Sequence, residues 1–84
     1  MRVNGKALKA LRADRGLTLE EVATIAGVHL SRIWKVENPE EGLDEKAVER
    51  IAGSWEIPLD ALTDASYPWQ RHLQTPLADA EDAA

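Results

Sequence analysis

Leu17-Thr18-Leu19-Glu20-Glu21-Val22-Ala23-Thr24-Ile25-Ala26-Gly27-Val28-His29-Leu30-Ser31-Arg32-Ile33-Trp34-Lys35-Val36-Glu37-Asn38 is the stretch that decides the fold. Thr18 followed three residues later by Glu21 is a capping box, so a helix opens here. Val22, Ala23 and Ala26 give that helix an apolar side. Gly27 ends it after two turns, because glycine tolerates the left-handed conformation that a tight turn needs. A second helix starts near His29 and runs to about Glu37, with Ile33 and Val36 as its buried stripe. Asn38-Pro39 stops it, since proline disfavours helix in the residue before it. The small Ala23 lets the two helices approach, and Ile33 plugs the angle between them. Two short helices joined by a tight turn are therefore predicted.

Outward from this pair the chain reads as helices from end to end. Asn4 caps a first helix carrying Ala7, Leu8 and Leu11 at helical spacing, and Gly16 sits where a left-handed terminating residue belongs. Glu40-Glu41-Gly42 reads as a loop. Asp44 caps a fourth helix with Val48, Ile51, Ala52 and Trp55 inward, and Ile57-Pro58 breaks it. A short fifth helix follows, with Leu59 and Leu62 inward. No strand pattern of period two appears. Tyr67 to Leu73 reads as one or two further helical turns ended by Thr75-Pro76, and the acidic residues 77–84 read as disordered. The expected organisation is an all-α, compact five-helix bundle over residues 1–64, a C-terminal extension over 65–76 and a tail over 77–84.

Composition narrows the function. Eighty-four residues allow one small domain. There is no cysteine, and the two histidines are far apart at His29 and His72, so no metal site or cofactor is expected. The longest nearly apolar stretch, residues 22–28, is far short of the roughly 20 residues of a membrane span. Lys6, Lys9 and Arg12 interrupt any leader-like apolar run. A soluble, cytoplasmic domain without a small-molecule ligand is expected. No acid–base pair, nucleophile or phosphate loop suggests an enzyme. The net charge is −5, but it is divided: residues 1–37 hold seven Lys or Arg and four acids, a balance of +3, and the rest hold three and eleven, a balance of −8. A polyanion would meet the first half.

The helix–turn–helix spacing, with residues 8–18, Glu20-Glu21-Val22-Ala23, Ala26-Gly27-Val28, Ile33, Val36-Glu37-Asn38, Ile51-Ala52 and residues 57–62, resembles the Cro/repressor-type (XRE-like) helix-turn-helix family. The resemblance covers about residues 4 to 63. It implies a five-helix bundle of the phage repressor type, usually dimeric, that places its third helix in the DNA major groove. Carried over by position, it implies base contacts from His29, Leu30, Ser31 and Lys35. It implies backbone contacts from Asn38 and from the helix start at Thr18, and Arg32 is within reach of a phosphate. Arg12 and Glu37 match an internal salt bridge. The expected activity is that of a DNA-binding regulator acting by promoter occupancy as a homodimer, bound to the nucleoid when on its operator.

Several residues leave other uses open. Leu19 stands where a phosphate-facing glutamine is common, and Glu40 and Glu41 stand where basic residues are common. Leu30 and Trp34 replace polar or small residues. Leu19, Ile25, Leu30 and Trp34 are expected on the outward face, where they would cover the bundle, touch DNA, or dock a protein partner on a fold that has lost DNA binding. His29 would either cap its helix or meet a base. Tyr67, Trp69 and Leu73 would either cover the bundle or form a dimer seam.

Overall fold

The computed structural model describes residues 1–38 and 42–74. Among them it forms five α-helices and no strand: α1 (Gly5–Asp14), α2 (Leu19–Ala26), α3 (Leu30–Glu37), α4 (Glu45–Trp55) and α5 (Asp60–Thr63), followed by a 3-10 turn at Trp69–His72. The all-helical bundle expected from the sequence is present. The loop residues 39–41, the Thr75-Pro76 stop and the acidic tail lie outside the described residues. No helix among those described is long and apolar enough to cross a membrane.

Local chemistry sets the helix ends. The Asn4 side chain accepts the Ala7 N–H at 3.3 Å and caps α1. Gly16 takes φ +67° beyond its end. Asp44 occupies the cap position of α4 but makes no side-chain cap bond. Helix α4 closes on Glu56 in the left-handed conformation, φ 56°. After α5, the Asp64 carboxylate accepts from the Ser66 hydroxyl (2.7 Å) and backbone N–H (2.9 Å), which hold it below its ordinary range.

The apolar stripes meet in one core. Ala7, Leu8, Leu11, Val22, Ala26, Ile33, Val36, Ala61 and Leu62 are wholly excluded from solvent. Leu59 is only half-buried, and Ala61 takes the inward place beside Leu62. Arg15 lies over the buried Trp55 ring, 5.0 Å from its centroid. The chain start is fastened twice, by Asn4 N–H to the Leu62 carbonyl (2.7 Å) and by Leu43 N–H to the Met1 carbonyl (2.9 Å). Burying this apolar surface is the main favourable term for a domain of this size.

The extension after α5 packs back on the bundle. Trp69 is only 7% exposed and belongs to the core, so of its two expected uses it covers the bundle, and its reading as a protein contact is corrected. Its ring finds apolar surface where the 3-10 turn lies against α1. Tyr67 and Leu73 are half-buried against the same core. Tyr67 Oη lies 2.8 Å from His72 Nε2, with the two rings stacked 5.7 Å apart.

Gly5 marks the tightest helix contact. A Cβ there would lie 2.3 Å from the Val36 carbonyl oxygen, so α1 meets the end of α3 backbone to backbone. Gly5→Ala is expected to destabilise the fold by roughly 1–3 kcal/mol, the usual range for overpacking, in urea denaturation. Gly53, in the last turn of α4 with nothing within 4 Å of an added Cβ, is the control: Gly53→Ala should stabilise by about 0.5–1 kcal/mol. Trp69→Ala should cost about 3–5 kcal/mol in the same measurement, as for other buried aromatic truncations.

Candidate nucleic-acid interface

The site grows from the turn between α2 and α3. Gly27 adopts φ 75°, and its N–H and that of Val28 return to the Ala23 carbonyl at 2.8 and 3.0 Å. Arg50, reaching across from α4, donates to the Ala26 carbonyl at 3.2 Å. A Cβ on Gly27 would fall 2.8 Å from that guanidinium nitrogen. Glycine is needed here for the φ, and the flexible end of Arg50 settles against its bare Cα. Nothing local in the sequence announces Arg50, because its acceptor lies 24 residues earlier.

Helix α3 then presents two faces. Ile33 and Val36 are fully buried and Glu37 is 8% exposed. The opposite face carries Leu30, Ser31, Trp34 and Asn38, all exposed, flanked by the half-buried Lys35 and Arg32. His29 is the cap of α3: its Nδ1 accepts the Ser31 N–H at 3.1 Å and lies 2.9 Å from Ser31 Oγ. An Nδ1 that accepts leaves the proton of the neutral ring on Nε2, a donor at the exposed end of the helix. Asn38 spends one amide N–H on the Trp34 carbonyl, 2.8 Å away, closing the helix end.

At the start of α2 the capping box is complete. Thr18 Oγ1 accepts the Glu21 N–H at 3.1 Å, and Glu21 Oε1 accepts the Thr18 N–H at 3.0 Å. The Thr18 N–H is thus taken by Glu21, as the capping box read from the sequence requires. The donors left in this first turn are the N–H groups of Leu19 and Glu20, which precede the first intrahelical acceptor. Leu19 is corrected: it and Ile25 are half-buried and pack on the core, not on an outward apolar face. Among the described residues the large hydrophobic side chains left exposed are Met1 (46%), Leu30 (41%) and Trp34 (49%).

Arg12 and Glu37 hold this assembly in place. Arg12 Nε donates to Glu37 Oε2 at 2.6 Å and Nη2 to Oε1 at 3.1 Å, while Nη1 donates to the Leu17 carbonyl at 2.8 Å. One guanidinium thus joins α1, the entry to α2 and the last residue of α3. The fork geometry matches the carboxylate, and both side chains are largely buried. Among the described residues no group of three His, Cys, Asp or Glu could hold a metal ion.

This architecture is that of a helix-turn-helix domain, and a family model described as "Helix-turn-helix domain" matches residues 5–53. The chain belongs to that family, in its Cro/repressor-type (XRE-like) branch, a family of DNA-binding domains of transcription regulators. It is also similar to the HTH-type transcriptional repressor RghR of Bacillus subtilis, with 36% identity over 59 residues, covering 69% of this chain. The matched part is 44% of that repressor, so the chain spans less than half of its relative's length.

Removing one member of the buried pair strands the other. Arg12→Met or Glu37→Gln alone is expected to lose about 3–5 kcal/mol of stability in chemical denaturation. The double variant Arg12→Met/Glu37→Gln should lose less than the sum of the two single changes, because no uncompensated charge remains.

Proposed function

We propose that the protein is a sequence-specific double-stranded DNA-binding transcriptional regulator that lays α3 in the major groove. The observation that carries this reading is the exposed face of α3, held at a fixed angle to α2 by buried Ile33, the Gly27 turn and the Arg12–Glu37 pair. An α-helix with its side chains is about 10–12 Å across, and the major groove, about 12 Å wide, admits one. His29 Nε2–H donates to base acceptors, Lys35 reaches guanine O6 or N7, Ser31 accepts from an exocyclic amine, and Leu30 meets a thymine methyl. Arg32, the remaining amide N–H of Asn38 and the first turn of α2 beside Thr18 engage phosphates. The protein acts by occupying an operator as a homodimer on two half-sites about one helical turn apart, as a repressor does.

The competing reading, a protein-docking module that has lost DNA binding, draws on the exposure of Leu30 and Trp34. It loses Leu19, which the core takes up. The two readings part in one experiment: selection from a random duplex pool at low salt, followed by a salt titration of the winners. An enriched, roughly palindromic motif whose affinity falls steeply with salt is the expected result. No enrichment would leave the docking reading. Lys35→Ala should weaken binding to the selected site by about 1–3 kcal/mol and relax preference at one base position. Unchanged binding would remove Lys35 from the base-reading set.

A further inference from the structure

The exposed face of α3 is unusual in being apolar at its centre. Leu30 and Trp34 are neighbours at i and i+4, are 41% and 49% exposed, and neither packs into the core. Every base edge in the major groove is polar apart from one feature, the C5-methyl group of a pyrimidine. An apolar side chain pressed against the polar edges alone gains little, whereas against a methyl group both surfaces leave water.

The surrounding geometry narrows the use of this pair. His29 Nδ1 is spent on the Ser31 N–H in capping α3, which reduces the polar reading capacity at that end of the helix. Leu19 and Ile25 are drawn into the core, so the apolar surface here is two half-exposed side chains. That is far below the roughly 800 Å² per partner of a stable protein interface. The flanking Arg32 and Lys35 suit a polyanion. A small apolar contact between cationic flanks fits a methyl group in a DNA groove better than a protein surface.

We propose that Leu30 and Trp34 together form a reader of pyrimidine C5-methyl groups, so that this protein's specificity depends on thymine, or 5-methylcytosine, at the positions facing the pair. Trp34 thereby joins the base-reading residues as a specificity determinant. The inference rests on α3 entering the major groove.

The test uses the full chain and the duplex selected above. Each thymine is replaced in turn by deoxyuridine, which deletes the methyl and leaves the pairing edge intact, and each cytosine by 5-methylcytosine, which adds one. At the positions facing the pair, affinity should fall about fourfold per methyl deleted or rise about fourfold per methyl added, the factor for burying one methyl group. Which substitution acts tells thymine from 5-methylcytosine as the source. Leu30→Ala and Trp34→Ala, both at exposed positions, should keep the parental unfolding midpoint and lose this discrimination. A duplex bound equally well with and without its methyl groups overturns the proposal while DNA binding stands. So does discrimination that survives both substitutions. Failure to select any duplex overturns the DNA-binding reading itself, and this inference with it.

Discussion

The Arg12 guanidinium commits its three nitrogens to two partners from other parts of the chain: two to the Glu37 carboxylate and one to the Leu17 carbonyl. Helix α1, the entry to α2 and the end of α3 are fixed to one another through a single planar group. Hydrophobic burial is non-directional and would tolerate small rotations of α3. A bidentate charged pair, largely out of water, does not, because any misalignment leaves a desolvated carboxylate underpaired. The close packing of Gly5 on the Val36 and Glu37 carbonyls limits the same helix from the other side. The orientation of the exposed face of α3 follows from these contacts.

That rigidity suits the reading of a surface as regular as a DNA groove. Base discrimination requires side chains held within fractions of an ångström, which short helices cannot supply by themselves. Here the two-turn helices α2 and α3 are braced by α1 through Arg12 and by α4 through Arg50. The segment from Tyr67 to Leu73 completes the bundle by covering α1 with the Trp69 ring. The division of charge, basic in the first half and acidic in the second, places the cations on the same part of the chain as the exposed face.

Much of this was legible in the sequence, and for identifiable reasons. The caps at Asn4 and Thr18 and the left-handed glycines at 16 and 27 are local signals, each confined to a few residues. The buried stripes of α1 to α4 follow the helical period. The family resemblance rests on the same positions and on the Arg12–Glu37 spacing. The misreading fell where a side chain had two uses: Leu19 could be drawn outward or inward, and the core took it. For Trp69 the sequence left bundle cover and dimer seam both open, and its ring lies in the core.

The sequence by itself determined the helices, their ends and the turn between α2 and α3, because propensity, capping and periodicity act over a few residues. Tertiary structure alone decided which groups are left over for function. Arg50 becomes a brace for the turn only when α4 lies against α2. His29 becomes an Nε2–H donor only when its Nδ1 caps α3. Leu30 and Trp34 become a surface only because the core is already filled by Ile33, Val36 and their neighbours. Helical spacing already put Leu30 and Trp34 on the outward face, but that Leu19 and Ile25 are drawn in beside the core and that Arg50 reaches Ala26 depends on contacts between distant segments.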